Sequence, residues 1–192
     1  MNSIKKAICI AAIAASAGAQ ASAPIFEAEA NDTIGTAQSL GFLVSGTELN
    51  IYGLRFDPLP GGSSLDFYSF STASALNITL SVTTQTGASF GSDPMVGLYN
   101  SAGTRIAEND DYNGWDSLLT HTVSAGTYYV AVTGYAEAAD GTLDFSDNPN
   151  SDRNWSYALN VSAAPIPEPE SYAMFLAGLG IIGAVARRSK TT

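Results

Sequence analysis

The sequence predicts an all-β protein: a single antiparallel β-sandwich, jelly-roll-like, set between an N-terminal signal peptide and a C-terminal transmembrane helix. Three observations carry this. Period-two alternation of apolar and polar residues dominates the middle of the chain. Turn residues interrupt it at short intervals, and helical periodicity is missing until the C-terminal tail. With 18 Gly, 8 Pro and 14% charged residues in 192, the composition suits a turn-rich globular domain rather than a disordered acidic tail.

Residues 1–21 read as a signal peptide. Lys5 and Lys6 supply the positive start, Ala7 to Ala19 is an apolar run too short to span a bilayer, and small residues follow. Cleavage is expected after Ala21; Ala23 is the alternative, but it would place Pro24 against the cut bond. Cys9, the only cysteine, falls inside this segment. A mature chain without a thiol has no disulfide, no thiolate zinc site and no cysteine nucleophile.

Residues 22–164 form the expected sandwich domain. Leu76, Ile78, Leu80 and Val82 alternate with Asn77, Thr79, Ser81 and Thr83. Tyr128, Val130 and Val132 do the same, as do Trp155, Tyr157, Leu159 and Val161. Each run offers one face to a core and one to water. Further strands are expected over Leu40–Val44, Leu49–Phe56, Asp66–Ser71, Met95–Tyr99, Thr104–Glu108 and Leu118–Val123. Asn100-Ser101-Ala102-Gly103 predicts a hairpin turn with glycine in the left-handed position. Ala136 to Asn154 is the one long connection, and a loop of that length is functional or mobile. Trp155 is expected in the core and Trp115 at a sheet end.

Charge narrows the partners. Between Pro24 and Pro167, sixteen acidic residues stand against Arg55, Arg105 and Arg153, with no lysine. Such a polyanion is repelled by nucleic acid phosphate and by anionic lipid, so no nucleic-acid partner is expected. Calcium is the ligand this chemistry favours, since it takes six to eight oxygens, several from carboxylates. Glu27, Glu29 and Asn31 alternate along an extended segment, with Asp32 directly after. A second acidic stretch, Asn109 to Gly114, has oxygens at loop positions one, three and five, but lacks the closing glutamate and flanking helices of an EF-hand. Asp140, Asp144, Asp147 and Asp152 form a third cluster without ligand spacing. Catalytic signals are lacking: His121 is the sole histidine and reads as an ordinary strand residue, and no Gly-x-Ser-x-Gly elbow occurs.

Residues 165–192 form a second address. Pro165 to Glu170 is proline-rich, Ser171 to Ala186 is uncharged and apolar, and Arg187-Arg188-Ser189-Lys190 closes the segment. A helix over 171–186 would reach about 24 Å, short of the ~30 Å hydrocarbon core, with arginine snorkelling to absorb the difference. The basic cluster is expected to stay cytoplasmic, leaving the acidic domain outside. Pro167-Glu168-Pro169, the short apolar helix and the terminal Arg187-Arg188 cluster resemble the PEP-CTERM sorting signal of Gram-negative bacteria. That resemblance implies an exosortase as processing partner beside signal peptidase, transient anchoring in the inner membrane, and delivery to the cell surface or outside, in a cell that makes exopolysaccharide.

The middle resembles the bacterial pre-peptidase C-terminal domain, an accessory β-sandwich of secreted enzymes. The resemblance rests on Glu27-Ala28-Glu29-Ala30-Asn31-Asp32, Leu65 to Phe70, Pro94 to Tyr99, Ala107 to Asp111 and Ala125 to Tyr135. In calcium-binding relatives, acids matching Glu27, Glu29, Asn31 and Asp32 join an aspartate at a strand start, here Asp66. The expected function is therefore a non-enzymatic, exported cell-surface or matrix protein. The alternative is a calcium-dependent carbohydrate- or protein-binding module, and the third reading is a small secreted hydrolase.

Overall fold

The computed structural model describes residues 23–28, 30–55, 65–84, 92–112, 114–136, 138, 140–145, 154–166, 174–182 and 187. The expected signal peptide, Glu29, the Pro167-Glu168-Pro169 motif and Arg188 lie outside the described residues. In chain order the strands are β1 (Ile25–Phe26), β2 (Gln38–Phe42), β3 (Glu48–Arg55), β4 (Asp66–Thr72) and β5 (Leu76–Thr84). They continue as β6 (Pro94–Asn100), β7 (Arg105–Asn109), β8 (Ser117–Val123), β9 (Gly126–Gly134) and β10 (Trp155–Pro165).

These strands build the expected sandwich. The first sheet has the order β1-β3-β10-β5-β8 and the second β2-β4-β9-β6-β7. Pairing is antiparallel except at one edge of each sheet, where β1 runs parallel to β3 and β2 parallel to β4. The cause is the path of the chain. From β1 to β4 it changes sheet at every step, so alternate strands return to the same sheet pointing the same way. Gln38 ties these edges together: its Oε1 accepts from Ala28 N at 2.8 Å, and its Nε2 donates to Phe26 O at 3.0 Å.

The period-two residues fill the space between the sheets. Leu76, Ile78, Leu80 and Val82 of β5 and Tyr157, Leu159 and Val161 of β10 meet Tyr68, Phe70, Val96, Leu98, Val130 and Val132 of the second sheet. Each such side chain contributes about 1.5–3 kcal/mol by leaving water. Trp155 joins this core as expected, while Trp115 is 41% exposed beside β8. The Asn100 turn also forms as read: Asn100 Oδ1 accepts from Ala102 N and Thr104 N at 3.0 Å each, and Gly103 sits at φ +75°.

One feature differs from a sheet with a single wet face. β6 and the second half of β9 are buried on both sides. A second cluster of Leu65, Phe67, Met95, Tyr99, Ala131, Ala136 and Phe145 covers the outer face of the second sheet, with Ile34, Ala37 and Leu143 at its margin. Much of the cover is the described part of the long connection. It turns back on itself through Ala138 N to Thr142 O (2.8 Å) and Asp144 N to Ala136 O (2.8 Å). Arg105 fastens it, donating to Leu143 O at 3.0 Å and lying 4.9 Å from the Phe145 ring centre. Gly97 gives Phe145 its seat, because a Cβ there would come within 3.0 Å of the ring.

The expected helix over 171–186 is described over 174–182, with Met174, Phe175, Leu176, Ile181 and Ile182 two-thirds exposed or more. Among the described residues, no helix is long and apolar enough to cross a membrane.

Gly53 and Leu54 of β3 test the alternation directly. A Cβ on Gly53 would strike the Cζ and hydroxyl of Tyr157 and come within 2.7 Å of its Cε1, whereas Leu54 points outward and is 46% exposed. Gly53→Ala is expected to cost about 3 kcal/mol in denaturant unfolding. Leu54→Ala is expected to stay within ~0.5 kcal/mol of the parent.

Candidate functional site

Between the sheets, near the start of the domain, polar groups gather in a place the alternation pattern would fill with hydrocarbon. β1 carries the chain in along β3, and Glu27 N donates to Tyr52 O at 2.9 Å, which fixes the Glu27 backbone. Its side chain then turns back on the same strand, with Oε2 accepting from Leu54 N at 2.7 Å. Four residues on, Asn31 is held against β4 by Phe67 N donating to Asn31 O at 2.8 Å. That bond sets Asn31 beside Asp66, the first residue of β4. Asn31 is fully buried and Asp66 is 4% exposed.

Two tyrosines connect these groups. The hydroxyls of Tyr68 on β4 and Tyr157 on β10 lie 2.6 Å apart, bridging the sheets. The Tyr157 hydroxyl is 2.7 Å from Asp66 Oδ2 and 3.2 Å from Glu27 Oε1; that of Tyr68 is also 3.2 Å from Glu27 Oε1. A phenol has one proton to give. The shortest carboxylate contact assigns the Tyr157 proton to Asp66, leaving the Tyr157 oxygen as an acceptor for Tyr68. Charge-assisted bonds of this kind are the strong ones.

Asn31 completes the cluster. Its Nδ2 donates to Glu27 Oε1 at 3.1 Å, an orientation imposed by a carboxylate that only accepts. The consequence is that Asn31 Oδ1 is buried with no hydrogen-bond partner among the described residues. An orphaned acceptor of this sort costs about 1–3 kcal/mol unless something supplies positive charge or a donor. The cluster thus brings together three of the five residues singled out in the sequence: Glu27, Asn31 and Asp66. Asp32 follows Asn31 and is partly exposed, and Glu29 lies outside the described residues. Among the described residues, no group of three or more His, Cys, Asp or Glu is placed to hold a metal by itself.

Tyr68 and Tyr157 were hidden from sequence reading by their own regularity. Both occupy inward positions of strands and count as core there. The available signal was that a buried tyrosine hydroxyl needs a partner. Arg55 is likewise fully buried and lies 5.8 Å from the centre of the Trp155 ring.

The second acidic stretch does structural work. Asn109 Oδ1 accepts from Leu118 N at 2.8 Å and holds β8 in place, and Asp110 Oδ1 accepts from Asp111 N at 2.8 Å. β7 and β8 flank it where an EF-hand would have helices. Facing it, Asp93 is pushed up to about 7 by burial and by the charges of Asp111 and Asp110. In the long connection, Asp140 caps a turn through Thr142 Oγ1 at 2.7 Å, while Asp147 and Asp152 lie outside the described residues. His121 sits on β8 opposite Ile78, as a strand residue.

Burial, with the neighbouring carboxylates Glu27 and Asp66, pushes the Tyr68 and Tyr157 phenols well above their ordinary value of 10.0. The folded state therefore keeps two protons that the unfolded state releases above that pH. Stability from these groups is complete below pH 10 and falls as pH rises beyond it, by about 1.4 kcal/mol per unit for each tyrosine. Alkaline titration followed by tyrosinate absorbance should show the last tyrosines ionising together with unfolding. Tyr157→Phe should lower stability at neutral pH by about 1–3 kcal/mol and make the alkaline limb shallower.

The chain is 31% identical over 111 residues to a probable subtilase-type serine protease of Deinococcus radiodurans; the match takes in 57% of this chain and 14% of that protein. Among solved structures it is similar to the pre-peptidase C-terminal domain of a collagenase from Bacillus anthracis, with a TM-score of 0.43 and 23% identity over 66% of this chain and 94% of that one. It is also similar to carbohydrate-binding module CBM36, solved with calcium and xylotriose, with a TM-score of 0.29 and 14% identity over 52% of this chain and 72% of that one. Residues 165–190 match the PEP-CTERM protein-sorting motif, which implies export and processing by an exosortase.

Proposed function

We propose that the chain is a non-catalytic, exported β-sandwich that works at the cell surface or in the extracellular matrix, in association with exopolysaccharide. The observation that carries this is the sorting motif at residues 165–190, attached to a strongly acidic domain. Signal peptidase would remove residues 1–21. The apolar segment 171–186, with Arg187 and Arg188 behind it, would hold the domain in the inner membrane of a Gram-negative cell until the exosortase acts near Pro167-Glu168-Pro169. Exposed apolar side chains over 174–182 support a lipid environment for that stage. Deleting 171–190 should reduce the cell-surface amount several-fold, measured by immunoblot of surface and culture fractions. An unchanged surface amount would overturn the sorting role.

The second reading, a calcium-dependent binding module, is favoured by the orphaned Asn31 Oδ1 beside two carboxylates. Glu27, Asn31 and Asp66, with Glu29 and Asp32, would hold the ion. Calcium would neutralise the crowded negative charge and tie the N-terminal segment to β4. A ligand bound only by the folded state raises Tm by mass action. Calcium in excess should therefore raise Tm by several degrees over chelator, and Glu27→Gln with Asp66→Asn should remove the difference. An equal Tm in calcium and chelator would leave the Asn31 carbonyl as a purely structural defect.

A further inference from the structure

Among the described residues the outer faces of the two sheets are unlike each other: the second is covered, and the first is open. Register defines what the open face carries. Asn50, Asn160 and Ser81 lie side by side across β3, β10 and β5, and Ser162, Thr79 and Thr120 form the adjacent row. The Thr79 and Thr120 hydroxyls are 3.2 Å apart. Along β3, β10, β5 and β8 this face holds one charged side chain, Glu48, in a chain whose net charge is −10. At its β1 edge the character changes. Phe26 is 70% exposed and Tyr52 39%, their ring centres are 6.0 Å apart, and with Pro24 and Asn50 they line a groove of about 320 Å³.

We infer that this face binds a neutral polysaccharide, with one sugar seated in the Phe26–Tyr52 groove and the chain running across the Asn50–Asn160–Ser81 row. A pyranose ring has an apolar C–H face and a rim of hydroxyls. Aromatic faces take the first, and amides and hydroxyls, each able to donate and accept, take the second. Strands repeat every ~4.8 Å, close to the length of one sugar unit, so successive side chains of the row meet successive hydroxyls. The want of charge selects against other polymers. An anionic polysaccharide would be repelled by the field of the acidic domain. A protein partner typically wants about 800 Å² per side with aromatic or arginine anchors at the centre. Here the centre is serine, threonine and asparagine, and the aromatics are confined to one edge.

The inference rests on the reading of the chain as an exported surface protein associated with exopolysaccharide, and not on the cation. The test is depletion of purified full-length protein, in mild detergent, onto insoluble cellulose, xylan, chitin and β-1,3-glucan, with alginate beads and gelatin as anionic and protein comparators. Retention is expected on at least one neutral polymer, insensitive to salt. Phe26→Ala with Tyr52→Ala should weaken it about tenfold or more, and Asn160→Ala should weaken it independently. Tyr112→Ala, at an exposed position in the β7–β8 loop, should leave it unchanged. Exposure of Phe26 and Tyr52 lets the variants keep their fold, checked by Tm. Retention on alginate or gelatin alone, retention unaffected by the aromatic variants, or no retention on any neutral polymer would overturn the inference. Retention that survives chelator while Tm is indifferent to calcium would uphold this face and remove the cation site; a calcium-dependent Tm without retention would do the reverse.

Discussion

The hydroxyl-to-hydroxyl contact between Tyr68 and Tyr157, 2.6 Å long, is the point on which the front of the domain depends. It joins a central strand of one sheet to an interior strand of the other. Each tyrosine also faces a carboxylate, and that of Glu27 in turn fixes backbone. Glu27 holds β3 through Leu54 N, and Asp66 opens β4 next to the bond that holds Asn31. Gly53 is the condition for all of it, because any side chain there would occupy the space of the Tyr157 ring. The arrangement places two anions where a β-sandwich would ordinarily place hydrocarbon. It is sustained because nearly every polar atom there is partnered, with Asn31 Oδ1 as the exception.

The two sheets divide the remaining tasks. The second is packed on both faces, so its strands are apolar at nearly every position and its outer surface is the folded-back connection around Phe145. The first keeps a water-facing side of amides and hydroxyls. Because β1 carries Phe26 outward and is followed at once by Glu27 turning inward, the groove edge and the polar cluster are set by consecutive residues. Movement of this short strand would be felt at both.

What was legible in the sequence follows from which interactions are local. β5 and β10 alternate cleanly because one face is wet, and both were expected from pattern alone. Met95 to Tyr99 of β6 gave a weaker signal because burial on both faces erases alternation, and its cover comes from residues some forty positions later. The parallel edge pairs were not visible, since they depend on the route of the chain between sheets and not on composition. Glu27, Asn31 and Asp66 were singled out by residue type and by resemblance, and they do meet. Tyr68 and Tyr157 escaped because an inward tyrosine and an inward phenylalanine look alike until the partner of the hydroxyl is known. Phe26 and Tyr52 are not legible as a pair, because only the parallel pairing of β1 with β3 brings these distant residues together.

The position of β10 has a mechanical meaning. It is the last strand before the C-terminal tail, and it is hydrogen-bonded along its length to β3 on one side and β5 on the other. Tension entering from Pro165 would pull along the strand axis, loading both ladders at once in shear. A terminal strand at a sheet edge would instead peel away one bond at a time. A domain held by this end and gripped elsewhere would therefore meet force with two ladders at once.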